Sequence, residues 1–248
     1  MTIRDIAHIE INGQSIAYRL RDGRSPTLVF LPGYASDMEG AKAVAIDGFA
    51  EQRGLGMLRI DYSGTGSSSG RFEDGTLDRW IDEACAAIDE LTKGPLILIG
   101  SSMGGWIALH LALRRPDRVR AVAGIAAAPD FTDWGFGADA RAELAINGRL
   151  GEPNPDGTST PGLITAAFWE SGQTLLLLDK EIAIDCPVRL IHGEQDKDVP
   201  LETAFRAMRA LRSADVQLLV IKGGGHRLSE PHEIEAILRA ISELVELD

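Results

Sequence analysis

Cysteine is scarce in this chain: Cys85 and Cys186 are the only two in 248 residues. A secreted disulfide scaffold would carry more, and no Cys/His spacing suggests zinc, so no metal is expected. Cys85 falls with Ile81, Ala84 and Ile88 on the buried face of a helix pattern, and Cys186 precedes Pro187 at a strand start. Both read as reduced core residues. Positive charge is also short. The 25 Lys and Arg against 37 Asp and Glu leave a net charge of −12, and no window gathers a basic stripe. That argues against nucleic acid, since phosphate binding needs a basic surface; the acidic balance reads as solubility. No segment reaches ~18 uninterrupted apolar residues, so no membrane span is expected. Met1–Glu10 lacks a signal-length apolar run and carries Asp5 and Glu10, and no mitochondrial transit pattern is visible. A cytoplasmic location is the default expectation.

What is present is ordinary globular material, 44% apolar and 25% charged. A chain of this size hides roughly 70–75% of its extended surface. Apolar runs at Ala7–Ile11, Ile16–Leu20, Thr27–Leu31, Gly56–Asp61, Leu96–Gly100, Val119–Ala126, Val188–His192 and Val216–Ile221 read as strands. The first two flank Asn12-Gly13 and form a hairpin. From Thr27 onward the runs are continuously apolar, as for parallel strands covered on both faces. Helical patterns at Gly40–Arg53, Leu77–Leu91, Met103–Arg114, Leu201–Leu211 and Glu233–Leu247 fill the gaps. Strand and helix alternating in this way predict a parallel sheet with helices on both sides. Between Pro129 and Asp185 no strand is evident, and Gly151–Gly162 reads as a loop. Phe131, Trp134, Phe136, Phe168 and Trp169 are too many aromatics for a solvated linker. The chain is expected to be a single domain over 1–248 with a small helical cap inserted at about 130–185.

The chemistry starts at Gly100-Ser101-Ser102-Met103-Gly104. This G-x-S-x-G follows an apolar strand and opens a helix, the context of a strained nucleophile turn. Gly100 and Gly104 leave room for the turn, and Ser102 is presented at a helix N-terminus, whose dipole favours developing negative charge. A glycine-rich turn without chemistry has the same letters. Serine needs a base, and five histidines are available. His226 follows the strand Val216–Ile221 and the run Gly223-Gly224-Gly225, at the sheet edge where open α/β sheets place their sites. His192 reads as a packing or locally bonded residue; His8, His110 and His232 are poorly placed. The acid belongs after the preceding strand, where Glu194, Asp196 and Asp198 compete. The order Ser, Asp, His suits this architecture. The loop Leu31-Pro32-Gly33-Tyr34 is positioned to offer the Tyr34 N–H, and Met103 its own, to an oxyanion.

These residues resemble the α/β-hydrolase superfamily. His192-Gly-Glu-Gln-Asp-Lys-Asp-Val-Pro200 is similar to its HGxxDxxVP acid loop, which places the carboxylate at Asp196. Leu31-Pro-Gly-Tyr34, Asp61-Tyr-Ser-Gly-Thr-Gly-Ser-Ser68, Gly100-Ser-Ser-Met-Gly-Gly-Trp106 and His226-Arg227 resemble the mitochondrial acyl-protein thioesterase branch, which is also the mycophenolic acid acyl-glucuronide esterase branch. The resemblance implies an α/β-hydrolase fold with a mostly parallel eight-stranded sheet. It also implies hydrolysis of carboxylic esters or thioesters without a cofactor, by Ser102, His226 and Asp196 through an acyl-enzyme, on a small-molecule or acylated substrate. Asp61–Ser67 is then expected to shape one wall of the site. A peptidase using the same triad and a catalytically silent binding protein are the rival readings. Trp134, Phe136, Phe168 and Trp169 are candidates either for a substrate pocket or for packing the cap onto the sheet.

Overall fold

The computed structural model describes residues 5–247; residues 1–4 of the N-terminal stretch read above lie outside it. Strands β1 (Ala7–Ile11) and β2 (Gln14–Arg21) pair antiparallel, with Ala7 opposite Tyr18 and Ile11 opposite Gln14. Asn12 and Gly13 both take positive φ, 52° and 78°, as a two-residue hairpin turn requires. Then β3 (Arg24–Leu31), β4 (Leu55–Ile60), β5 (Leu96–Ser101), β6 (Val119–Ile125), β9 (Val188–Gly193) and β10 (Val216–Ile221) run parallel. The sheet order is β1-β2-β4-β3-β5-β6-β9-β10, so the expected mostly parallel eight-stranded sheet is borne out.

Helices cover both faces because strand side chains alternate. Leu28 and Phe30 of β3 pack with Ile46 and Ala50 of α1 (Ala41–Arg53) and with Ile237, Ile241 and Leu244 of α8 (Pro231–Glu246). Val29 and Leu31 of the same strand pack with Trp80 and Ile81 of α2 (Leu77–Leu91) and with Trp106 and Ile107 of α3 (Met103–Arg114). Pro231 opens α8 at its first turn, where a missing N–H costs nothing. One expectation fails at the sheet edge. β10 is apolar in sequence apart from Gln217, yet Leu219 and Val220 stay 42% and 38% exposed. The last strand has one neighbour, and α7 (Leu201–Ala210) and α8 leave those two positions uncovered.

The segment between β6 and β9 holds α4 (Phe131–Trp134), α5 (Ala138–Asn147), a short antiparallel pair β7 (Arg149–Leu150) and β8 (Ile164–Thr165), and α6 (Ala166–Thr174). The pair corrects the strandless reading of this stretch; two residues a side are too short to leave a periodic pattern. It closes the Gly151–Gly162 loop at its base, where a Cβ on Gly151 would sit 2.4 Å from the Gly162 carbonyl oxygen. Asp130, held at φ 59°, ties the two ends of the segment together. Its buried carboxylate accepts the Leu177 N–H at 2.9 Å and the Leu178 N–H at 2.7 Å.

Candidate active site

Ser102 follows β5 and is the N-cap residue of α3, with φ 55° and ψ −121°, backbone that a residue with a side chain rarely adopts. Crowding explains the flanking glycines. A Cβ on Gly104 would lie 2.0 Å from the Leu31 carbonyl oxygen, and one on Gly100 would lie 2.1 Å from that of Gly104. The strained turn is held by neighbouring strands: Ser102 donates its N–H to Ile125 at 2.9 Å and accepts from Ala128 at 3.0 Å. The Met103 N–H heads α3, among the donors a helix leaves without an internal acceptor. Gly33 passes directly against the serine, since a Cβ there would meet Ser102 Cβ at 3.2 Å.

The loops after β9 and β10 bring the other two residues in. Gln195 donates its N–H to Gly224 at 2.8 Å and Glu194 donates its own to Ile221 at 2.9 Å. A Cβ on Gly193 would clash with Gly224 at 2.4 Å, so glycine lets these loops touch backbone to backbone. His226 Nδ1 then lies 2.8 Å from Asp196 Oδ2, and His226 Nε2 lies 3.1 Å from Ser102 Oγ. Asp196 Oδ1 accepts the N–H groups of Asp198 and Val199, each at 2.9 Å. Burial pushes the Asp196 carboxyl up, but the His226 hydrogen bond and these two donors outweigh it, and its pKa falls below the ordinary value.

The three competing carboxylates therefore separate. Asp196 faces the imidazole, and Glu194 accepts the Gly223 N–H at 3.0 Å, anchoring the histidine loop. Asp198 is exposed at the rim of the hollow beside Ser102. His192 is buried and bonded locally, its Nε2 2.9 Å from the Val199 carbonyl oxygen. His110 is buried too, its Nε2 3.0 Å from the Leu175 carbonyl oxygen. Asp196, Asp198 and His226 each offer a ligand atom within 4.8 Å of the others. Of these, Asp196 and His226 are already hydrogen-bonded to each other at 2.8 Å.

Two hollows meet at Ser102. One, of ≈ 200 Å³, is walled by Ala128, Phe131, Trp134 and Phe136. The other, of ≈ 750 Å³, runs past Gly33, Ser36, Asp37, Lys42, Pro161, Arg227 and Ser229. Trp134 and Phe136 thus stand at the site as candidates, and Phe131 joins them. Phe168 and Trp169 do not. Phe168 is buried behind Tyr34, ring centroids 4.8 Å apart, and Trp169 donates its indole N–H to the Thr132 carbonyl at 2.8 Å. Both hold α6 in place. Tyr34 is fixed by its side chain: its ring packs on Phe72, Trp80, Phe131 and Phe168 and its hydroxyl donates to the Leu163 carbonyl. Asp61–Ser67 lies one layer back. Asp61 accepts the Met38 N–H at 2.7 Å and the Ser67 N–H at 2.9 Å, bracing the Tyr34 loop, while Gly64 and Gly66 line a neighbouring hollow.

Comparison with known proteins agrees with this fold. Residues 26–145 match the α/β-hydrolase fold family model. The chain is 35% identical over 235 residues to the mitochondrial palmitoyl-protein thioesterase ABHD10 of Homo sapiens, covering 94% of this chain and 77% of that protein. The chain belongs to the α/β-hydrolase family. The expected hydrolase-class enzyme is borne out by that membership. The structure of this hydrolase superposes on mouse α/β hydrolase domain-containing protein 10 with TM-score 0.90 and 32% identity, covering 98% of each chain. A putative hydrolase from Agrobacterium vitis S4 matches with TM-score 0.88 and 38% identity over 98% of this chain and 100% of the other. The cytoplasmic expectation is overturned, because the ABHD10 proteins are mitochondrial. Address is read by receptors from targeting segments, so the composition of a folded domain says little about it. Among the described residues no helix is long and apolar enough to cross a membrane.

Proposed function

We propose that this hydrolase cleaves carboxylic acyl thioesters and esters through an acyl-enzyme on Ser102. The observation that carries the reading is the unbroken chain from Asp196 Oδ2 to His226 Nδ1 and from His226 Nε2 to Ser102 Oγ, at 2.8 and 3.1 Å. Ser102 Oγ attacks the acyl carbonyl as its proton passes to His226 Nε2, and Asp196 stabilises the imidazolium. Negative charge on the former carbonyl oxygen falls to the N–H groups of Tyr34 and Met103. The tetrahedral adduct expels the thiol or alcohol, which takes the proton from His226. Water then gives a proton to His226 and attacks the acyl-serine, releasing the acid and returning the proton to Ser102. The apolar hollow of Phe131, Trp134 and Phe136 suits an acyl chain, and the segment at about 130–185 serves as its cap within a single domain over 1–248. The similarity to palmitoyl-protein thioesterases supports a thioester.

Ser102→Ala tests this directly. Hydrolysis of an octanoyl thioester should fall by at least about 10⁴, and labelling by a fluorophosphonate should disappear. Full activity in the variant would end the proposal, and an unlabelled, inactive wild type would favour a silent binding protein.

A further inference from the structure

His226 sits in a loop whose two flanks are built differently. Gly223, Gly224 and Gly225 precede it, with Gly223 at φ 73°, so the approach from β10 is freely jointed backbone. Two bonds to the loop after β9 restrain that flank. Glu194 accepts the Gly223 N–H at 3.0 Å, and the Gly224 carbonyl accepts the Gln195 N–H at 2.8 Å. Both act two or more residues before the histidine. On the other flank Leu228 is held at φ 44°, a conformation that persists only where the surroundings over-determine it. Its side chain is buried in the apolar layer of Ile221 and Ile237 and folds back on the glycine run, where a Cβ on Gly224 would meet it at 3.0 Å. The Glu230 N–H is accepted by the buried Glu233 carboxylate at 2.8 Å. Between His226 and Leu228, the Arg227 carbonyl accepts the ammonium of Lys42, 185 residues earlier in the chain.

Lys42 does nothing for its own helix. It lies in the first turn of α1, where the dipole disfavours a cation, and it is half-buried. Burial lowers its pKa, and the Glu233 carboxylate opposes that shift. What it does hold is the peptide between Arg227 and Leu228, the one turned into the left-handed region. Resting on the acyl-transfer reading above, in which His226 is the base, we infer that Lys42 is a positioning residue for His226. Its grip on the Arg227 carbonyl keeps the imidazole where Nδ1 stands 2.8 Å from Asp196 Oδ2 and Nε2 stands 3.1 Å from Ser102 Oγ. The ammonium bonds backbone beside the base, so it moves no proton itself. Without it the glycine flank keeps its two bonds, but the Arg227–Leu228 peptide is free to relax and to swing the imidazole with it. A displacement of about 1 Å at such a group costs about 10² in rate.

Lys42→Met keeps most of the stem and removes the donor. The substrate is S-ethyl thiooctanoate, whose short uncharged leaving group makes no demand on the charges of the hollow. With it, kcat should fall by about ten- to hundredfold while KM changes by less than about twofold. Lys42→Arg, which keeps a charged donor, should recover part of the loss, and labelling by a fluorophosphonate should slow and recover in parallel. A readout without turnover is the low-field proton resonance of His226 Nδ1–H, assigned by its absence in His226→Gln. It should shift or broaden in Lys42→Met and return towards its wild-type position in Lys42→Arg. A raised KM with kcat unchanged would make Lys42 merely a wall of the hollow and overturn the inference. So would a wild-type resonance and labelling rate in Lys42→Met. If that variant does not fold, Lys42→Gln is read in the same way. Ser102→Ala keeps the two readings apart: retained activity there ends the acyl-transfer reading, while the resonance still reports whether Lys42 places the imidazole.

Discussion

Asp196→Asn removes one charge and, through the surrounding hydrogen bonds, reverses the proton arrangement of the whole site. Asp196 Oδ1 accepts two backbone N–H groups at 2.9 Å, while Oδ2 faces His226 Nδ1 at 2.8 Å. An amide has one oxygen, and the two N–H donors hold it at the Oδ1 position. The new NH₂ group therefore points at Nδ1 and donates to it. The imidazole must then carry its proton on Nε2, which donates to Ser102 instead of accepting from it. Flipping the amide would set its NH₂ against two N–H groups and leave the part-buried Val199 donor unpaired, at a cost of about 1–3 kcal/mol. The wrong tautomer should lower kcat by about 10⁴, equivalent to about 5 kcal/mol of transition-state stabilisation, with KM little changed. Steady-state kinetics on an octanoyl thioester measure it, with Asp198→Asn as the comparison. A loss under tenfold, or an equal loss in Asp198→Asn, would refute the assignment. Stability gives a second reading. The folded pKa of Asp196 is depressed, so its contribution is present above the unfolded value of about 3.9 and is lost as pH falls through the folded value. Urea titrations should show the Asn variant weaker at pH 7, with the gap narrowing below about pH 4.

Asp61 should behave in the opposite sense. Burial lifts its folded pKa to about 6 against the donors Ser67 and Met38, so between the unfolded value of about 3.9 and 6 the native state holds more protons. Stability due to this group should fall as pH rises through that window, by about 3 kcal/mol. The wild-type minus Asp61→Asn difference in unfolding free energy should carry that slope, and a flat difference from pH 4 to 8 would exclude it. For the aromatics, Phe136→Ala should shift the preferred acyl chain towards longer substrates, changing kcat/KM ratios by about tenfold or more. Trp169→Phe should leave chain-length preference unchanged and cost about 1 kcal/mol of stability through the lost bond to Thr132; a changed preference would return Trp169 to the pocket wall.

The parts of the site legible in the sequence are those where chemistry constrains the backbone. Ser102 at φ 55° needs small neighbours, so its turn is written as glycines around a serine after an apolar strand. The acid loop was legible only as a region. Glu194, Asp196 and Asp198 lie within five residues, and what separates them is direction: one bonds Gly223, one His226, one faces outward. That depends on the backbone contact between the loops after β9 and β10, which a linear pattern does not contain. The aromatics show the same limit more strongly. Phe131 and Trp134 share one turn, positioned by Asp130 at φ 59°, and the pocket side of that turn is chosen by the clasp on Leu177 and Leu178 some 47 residues away. Phe168 and Trp169 have the same composition signal and a packing role, because α6 turns them towards Tyr34 and Thr132. Arg227 adjoins His226 in sequence, yet only the bond from Lys42, 185 residues earlier, marks it as part of a wall. The Ser102 turn is thus announced by local strain, whereas the walls of the hollows beside it are assembled from distant segments. It follows that altering the Asp130 clasp should move the aromatic wall of the hollow while leaving the hydrogen bonds among Ser102, His226 and Asp196 in place.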